Sequence, residues 1–549
     1  MNTNNKSLLY LICLILLVAS PGCSKSFLEL SPPSQIEETN FFKTELQANQ
    51  ALAAVYHVLQ WGNINRGHTP MVGWAEAASD DAYAGGGSSS DAVGVKGLDN
   101  FQATAAAPFN QNDGTYASVW SIYFQGVARA NVYLANIGKV EASEDFKNET
   151  SAEAKFLRAQ FYFDLLRWFE NVPLLTEPLT DPAKYNQPQA TPQETLNQIA
   201  KDLTEAMQYL PKKSMKANNA HATYWSASAL LARVYLFGKG VYGTDLSAGT
   251  TTIDAAKVRT LLDEMIAPAA GFDLIPVYSD VWRKANEMGV ESVWEVDHSN
   301  LAYLSGSTSN QYQAQGNYNV LYFGPRGVSG YYTAGFSNAI PTESLYEEFE
   351  TTPNVDPRRE ATILILNSPQ DAQSSSFIRG WQHTGYFNNK YNSSPEYLTS
   401  SGLSSINWGQ NNHVIRFSDV LLMASELYIG VDQTKADQYL NRVRQRVGLP
   451  DRVATIENIR HERRVELGGE GVRYFDLLRY GLSYAKQVID ASSLVGPLYN
   501  GGGTFNAGVS TPPNAYEMNW DVSKKGHLPI PPNEVILSNG VLTQNPGYQ

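Results

Sequence analysis

Eight aromatic residues fall in one stretch that is otherwise almost free of charge. From Ser299 to Thr342 the only charged residue is Arg326. In that stretch Tyr303, Tyr312, Tyr318, Tyr322, Phe323, Tyr331, Tyr332 and Phe336 are interleaved with Asn, Gln, Ser and Gly. Tyrosine joins a flat apolar ring to a hydroxyl, and amides both donate and accept hydrogen bonds. Together they suit a polyhydroxylated ring, whose C–H face stacks and whose hydroxyls need planar polar partners. Tyr318, Tyr322, Tyr331 and Tyr332 are the favoured members of this set. Trp74, Asp80, Asp81 and Tyr83 offer the same combination in an insertion between helices, with Trp61 and Trp381 as weaker candidates. The competing role for each ring is core packing, and for the whole tract a contact surface for a partner protein. Trp120, Trp168, Trp225 and Trp294 lie on regular periodic segments and are assigned to the core.

Motifs for bond-breaking chemistry are incomplete in this sequence. His461-Glu462 opens like a zinc-protease motif, but Val465 stands where the second histidine ligand belongs. Gly335-Phe336-Ser337-Asn338-Ala339 fails the nucleophile elbow at its last residue. Gly85-Gly86-Gly87 is followed by serines and no Lys-Ser/Thr pair, so it reads as loop and not as a phosphate cradle. Glycoside hydrolysis needs two carboxylates about 5–10 Å apart. Asp80-Asp81 is the obvious pair, but adjacent side chains diverge. The residues point to a binding protein that is not an enzyme, with no metal and no cofactor.

Cys23 has a different chemistry. Lys6 precedes an apolar run from Leu8 to Ala19, too short for a membrane-spanning helix of roughly 20 residues and suited to an export signal. Ser20-Pro21-Gly22 then leads into Cys23. The other cysteine, Cys13, lies inside the signal, so the exported chain has no internal disulfide to form. Residues 1–22 read as a lipoprotein signal peptide, with Cys23 acylated as the first residue of the mature chain.

Net charge is −13, which disfavours nucleic acid or another polyanion as a partner. Charged residues make up 17% of the chain, below the roughly 25% usual for soluble proteins, and there are 31 tyrosines. The surface is therefore built largely of neutral polar groups and suits neutral polar ligands.

Helices have to position these residues. Amphipathic stretches run over Glu45–Leu59 and Tyr116–Ile137. Ala154, Leu157, Phe161, Leu165 and Trp168 form one buried stripe, closed by Pro173. Leu196, Ile199, Leu203, Ala206 and Leu210 form another, opened by Thr191-Pro192. Further helices are expected at Ala222–Phe237, Ile253–Ile266, Phe417–Ile429, Lys435–Val447 and Ile456–Leu467. Paired helices with short loops point to a mostly α, tetratricopeptide-like scaffold. It covers approximately 40–270 and 416–491, around a loop-rich insertion at 271–415 and before an irregular segment at 492–549. Glu291–Val296 reads as a strand with alternating faces. Arg463, Glu466, Glu470, Arg473, Asp476 and Arg479 fall three or four residues apart, so local charge pairing gives them a structural role.

Several motifs in order resemble the SusD/RagB family of Bacteroidetes surface glycan-binding lipoproteins. They are Phe27 to Leu30, Asn40-Phe41-Phe42, the Glu153–Leu166 helix with its Val172-Pro173-Leu174 exit, and Asp356-Pro357-Arg358-Arg359. Arg416–Glu426, Asn441–Gly448, Glu462–Leu467, Glu470–Arg479, Leu528–Pro532 and Gln544–Gly547 follow. The resemblance implies one domain, residues 23–549, on about four tetratricopeptide-like helix pairs, with long loop and short-strand insertions forming the ligand face. It further implies outer-membrane, lipid-anchored, outward-facing placement and non-catalytic binding of an oligosaccharide or polysaccharide. The implied partner is a SusC-type TonB-dependent outer-membrane channel that takes up the glycan and over which the lipoprotein closes. The RagB branch implies the alternative of a peptide-binding lid.

Overall fold

The computed structural model describes residues 41–61, 71–88, 90–91, 93–101, 116–300, 315–366, 374–378, 381–398, 408–492, 499–500, 518 and 520–548. The export signal, Cys23, Tyr303 and Tyr312 lie outside these residues.

The scaffold helices are α1 (Glu45–Trp61), α2 (Tyr116–Asn136), α3 (Glu144–Phe169), α4 (Pro192–Ala206), α5 (Tyr224–Tyr242) and α6 (Ala255–Ile266). After the insertion come α7 (Phe417–Tyr428), α8 (Gln433–Arg446), α9 (Ile456–Leu467), α10 (Arg473–Tyr480) and α11 (Leu482–Ser492). Local chemistry fixes their starts. The Ser143 hydroxyl accepts from the Phe146 N–H at the head of α3, and acidic Glu144 and Asp145 fill its first turn. Thr191 and Glu194 form a reciprocal capping box on α4, with Pro192 in the first turn. Thr223 and Ser226 do the same for α5, which ends at left-handed Gly243.

Consecutive helices pack as neighbours from α1 through α6, and α7 packs on α8. The chain leaves the scaffold after α6, yet α6 packs directly on α7. Two close approaches set these contacts. A Cβ on Gly126 of α2 would sit 2.6 Å from the Phe161 ring of α3, and one on Gly240 of α5 would sit 2.4 Å from the Arg479 carbonyl of α10. The second explains why α5 runs past Phe237, where the sequence reading ended it. Its glycines do not break the helix, because α10 needs the space. The stripe tryptophans Trp120, Trp168, Trp225 and Trp294 are all buried, within one core cluster that reaches from Phe42 to Leu542.

Short antiparallel ladders organise the insertion, and one of them joins it to the scaffold segment. Ser292–Val296 pairs with Asn412–Arg416, which leads straight into α7. Ala82–Gly85 pairs with Asn338–Pro341, and Ile363–Ile365 with Tyr386–Asn388. Ser292–Val296 does not alternate as expected. All five residues are buried, and Trp294 meets the Phe156 ring of α3 edge-on at 4.8 Å. Both faces of this strand are covered by protein, so the alternation signal is lost.

The C-terminal charges correct a second expectation. Among the six named, only Asp476 and Arg479 form a local pair, at 2.7 Å. Glu466 instead accepts from Arg358 at 3.1 Å, Arg416 at 3.0 Å and Arg446 at 2.6 Å, all fully or nearly fully buried. Glu470 accepts from Arg416 at 2.8 Å and Lys390 at 2.7 Å, and Glu462 from Arg358 at 2.6 Å and Arg444 at 2.8 Å. Arg463 reaches back to Asp419 and forward to Asp476. Burial alone would raise the Glu466 carboxyl. Arg446, Arg416 and Arg358 overcome that and hold it far below the usual carboxylate range. Removing its charge leaves three buried guanidinium groups short of an anion. Glu466→Gln is expected to lower unfolding stability by about 3–5 kcal/mol in urea titrations. A loss below about 1 kcal/mol would show the network to be dispensable.

Candidate functional site

The structure separates the candidate residues into two groups. Trp74, Asp80, Asp81 and Tyr83, expected at a ligand face, are buried. Trp74 sits on the short helix Met71–Ala77, inside the main core. Asp80 receives Arg473 in a two-pronged contact at 2.8 and 2.9 Å, and Asp81 receives Arg464 at 2.7 Å. Burial works to raise Asp80, but Arg464 and Arg473 hold it low. For Asp81 burial prevails, and its carboxyl is raised with Asp80 adding to the effect. Two carboxyls pushed apart in this way resemble an acid–base pair. Here both are buried and engaged by arginines. The Tyr83 hydroxyl donates to the Ser492 carbonyl at 2.6 Å, which fixes its strand against the end of α11.

Tyr318 and Tyr322 are buried too. The Tyr322 ring lies on Gly73, where an added Cβ would come within 2.3 Å of it, and Tyr318 packs near Phe336. Trp61 is buried, with the Arg129 guanidinium 4.6 Å over its ring. The side chain of Trp381 is outside the described set. Sequence reasoning failed at these rings because an exposed platform and a core aromatic have the same composition; only burial separates them.

Tyr331 and Tyr332 differ. Both are half-buried and line a cleft of about 170 Å³ with Trp282, Arg283, Asn389, Asn392, Ser394, Glu396 and Tyr397. Their rings meet edge-to-face, centroids 5.2 Å apart at 88°, so the pair offers surfaces in two directions. The Tyr331 hydroxyl is hydrogen-bonded with that of Ser394 at 2.9 Å. Asn392 donates to the Asn389 carbonyl at 2.7 Å, and its Oδ1 accepts the Ser394 N–H, which holds the amide edges in place. Arg283 and Glu396 pair at 3.4 Å, both well exposed to water. Trp282 is held from behind by Lys390, 4.6 Å over its ring, and by Arg416 at 5.2 Å, while the Tyr397 hydroxyl donates to its carbonyl. Two half-buried rings set among fixed hydroxyl and amide groups make a mostly polar cleft, which could take a hydroxylated ligand. Asn389, Asn392 and Ser394 were missed in the sequence reading, although 386–394 repeats the Tyr/Asn/Ser composition of the tract.

Glu350, His461 and Glu462 bring potential metal-ligand atoms within 4.8 Å of one another. Arg444 already donates to both carboxylates at 2.8 Å, so a guanidinium neutralises them where a cation would have to bind.

A helical scaffold carrying an aromatic cleft on a looped insertion defines a ligand-binding protein of tetratricopeptide-like architecture. The SusD family model matches residues 290–548, and a second model, described as starch-binding associating with outer membrane, matches residues 26–236. A laminarin binding SusD-like protein of known structure is 33% identical, with a TM-score of 0.76 over 92% of this chain and 100% of that one. Surface glycan-binding protein A from Bacteroides fluxus is 27% identical, with a TM-score of 0.75 and coverage of 92% and 100%. SusD-like protein P2 of Formosa agariphila is 24% identical over 97% of this chain and 98% of its own length. The chain belongs to the SusD family.

The division between core and cleft is open to measurement. Trp74→Ala should behave as a cavity mutation, costing about 3–5 kcal/mol in chemical denaturation. A Trp74 variant of unchanged stability would return this residue to the surface.

Proposed function

We propose that this protein is a non-catalytic glycan-binding lipoprotein of the outer membrane. An acyl group on Cys23 anchors it facing the cell exterior, and it passes a neutral oligosaccharide or polysaccharide to a SusC-type TonB-dependent channel for uptake. The observation that carries the reading is the Tyr331–Tyr332 cleft, with its aromatic pair and its fixed Asn, Ser and Tyr groups. Family membership supports it, as does the laminarin-binding relative at 33% identity. Non-catalysis is supported by the carboxylates. Glu396 is the one acid among the described residues that line the cleft, and Asp80 and Asp81 are buried and engaged by arginines. The Arg283–Glu396 pair leaves the rim without net charge, which suits a neutral sugar.

Calorimetry with laminarin, together with a glycan and peptide array, tests the proposal. Tyr331→Ala and Tyr332→Ala should each weaken glycan binding at least tenfold, or about 1.4 kcal/mol. Unfolding midpoints should barely move, and affinity should be nearly indifferent to salt. Loss of stability in both variants would make these rings core residues. Capture of basic peptides, with steep salt dependence, would establish the RagB-type peptide lid instead, to which the net charge of −13 would contribute. Reducing ends accumulating in proportion to protein would contradict non-catalysis.

Anchoring has its own test. Cys23→Ala should release the protein from the membrane fraction and abolish palmitate labelling, with the fold unchanged because no disulfide is lost. Undiminished labelling would overturn the assignment.

A further inference from the structure

A pocket of about 510 Å³ opens between the short helix Glu343–Glu348 and helices α9, α10 and α11, and it shares no lining residue with the Tyr331–Tyr332 cleft. Four basic side chains line it, and three have partners. Arg473 holds Asp80, Arg464 holds Asp81 and Glu348, and His461 is paired with Glu348. Arg460 is different. Among the described residues it forms no ion pair and no hydrogen bond, and its Nε is buried without a partner. Leaving a buried donor unbonded is unfavourable unless a ligand or water completes it. The guanidinium is nevertheless held in place, 4.5 Å from the ring centroids of both Tyr480 and Tyr484. Attraction of the cation to these two rings, which stand at 77° to each other, holds the guanidinium at the pocket wall, and the edge formed by its terminal N–H groups carries no hydrogen bond among the described residues.

The surrounding charge decides what that edge could receive. Glu347 and Glu457 line the same pocket, are exposed, and form no ion pair among the described residues. Among the described residues the lining carries four carboxylates, Asp80, Glu347, Glu348 and Glu457, against three guanidinium groups, so an acidic ligand is repelled. A pair of neighbouring hydroxyls uses both signs, accepting from the guanidinium and donating to a carboxylate. Tyr484, Val488 and Ala491 supply an apolar wall beside this polar edge.

We propose that this pocket is a second saccharide subsite, in which the Arg460 fork binds vicinal hydroxyls of a neutral sugar and Glu347 accepts from them. The proposal rests on the glycan reading of the chain and adds a site independent of the tyrosine cleft.

The test is calorimetry of the detergent-solubilised mature protein with a laminarin oligosaccharide, comparing Arg460→Met, Arg460→Lys, Glu347→Gln and Tyr332→Ala. Two binding events are expected for the unaltered protein. Arg460→Met should remove one and leave the other within twofold. Arg460→Lys, which keeps the charge but not the planar fork, should weaken that same event at least tenfold, and Glu347→Gln should weaken it as well. Tyr332→Ala should remove only the other event. A single event in the unaltered protein that Tyr332→Ala abolishes overturns the second subsite and leaves the cleft reading intact. Two events that both survive Arg460→Met overturn it equally. No binding of any oligosaccharide by the unaltered protein refutes the underlying glycan reading. Preference of the Arg460-dependent event for an oligogalacturonide over the neutral sugar overturns the assignment to hydroxyls.

Discussion

The Glu466 carboxylate gathers guanidinium groups from three distant parts of the chain: Arg358 from the insertion, Arg416 from the strand that re-enters the scaffold, and Arg446 from the end of α8. Glu462 and Glu470 extend the same network along and beyond α9, and Arg416 also reaches Glu291 at 2.6 Å, beside the partner strand. Withdrawing each ion from water costs several kcal/mol, so apolar residues of the same volume could give similar net stability. What the network does provide is a steep penalty for any arrangement that leaves one partner alone. In an insertion of nearly 150 residues whose described strands form short two-stranded ladders, that penalty adds to core packing in fixing its register on the helical scaffold.

That constraint reaches the cleft. Lys390 donates to the Glu470 carboxylate and the Glu466 carbonyl, and its ammonium lies over the Trp282 ring. Burial lowers its pKa to about 8, Glu470 and Arg416 pulling in opposite directions. Trp282 is thus held by the ionic core on one side and forms the cleft wall on the other. The cleft is lined by irregular backbone, yet its rear wall is fastened to the scaffold by buried charges. Pre-organisation of this kind reduces the ordering penalty of binding a flexible chain of hydroxylated rings.

The arginines serve three purposes, distinguished by their partners. Arg358, Arg416 and Arg446 are buried among carboxylates and hold segments together. Arg464 and Arg473 seal Asp80 and Asp81, which fastens the turn after Trp74 to α9 and α10. Arg283, in contrast, pairs with Glu396 at the solvated rim of the cleft, where an exposed pair contributes little to stability.

The sequence by itself determined the helices, because a stripe recurring every three or four residues and a capping side chain are local facts. The α3 stripe, the Thr191–Glu194 box and the start of α9 at Ile456 all fall where spacing places them. The order of the motifs along the chain likewise made the SusD family legible, and with it the tetratricopeptide-like architecture. Tertiary structure alone decided which aromatics are buried and which line a cleft. Tyr318, Tyr322 and Tyr332 share one composition-defined tract, but the first two pack into the interior and only the last lies beside the cleft. It alone decided the charge partners too. Glu466 stands three residues from Arg463, yet it binds Arg358, Arg416 and Arg446, because side-chain direction and chain path, not separation in sequence, set the distances between ions.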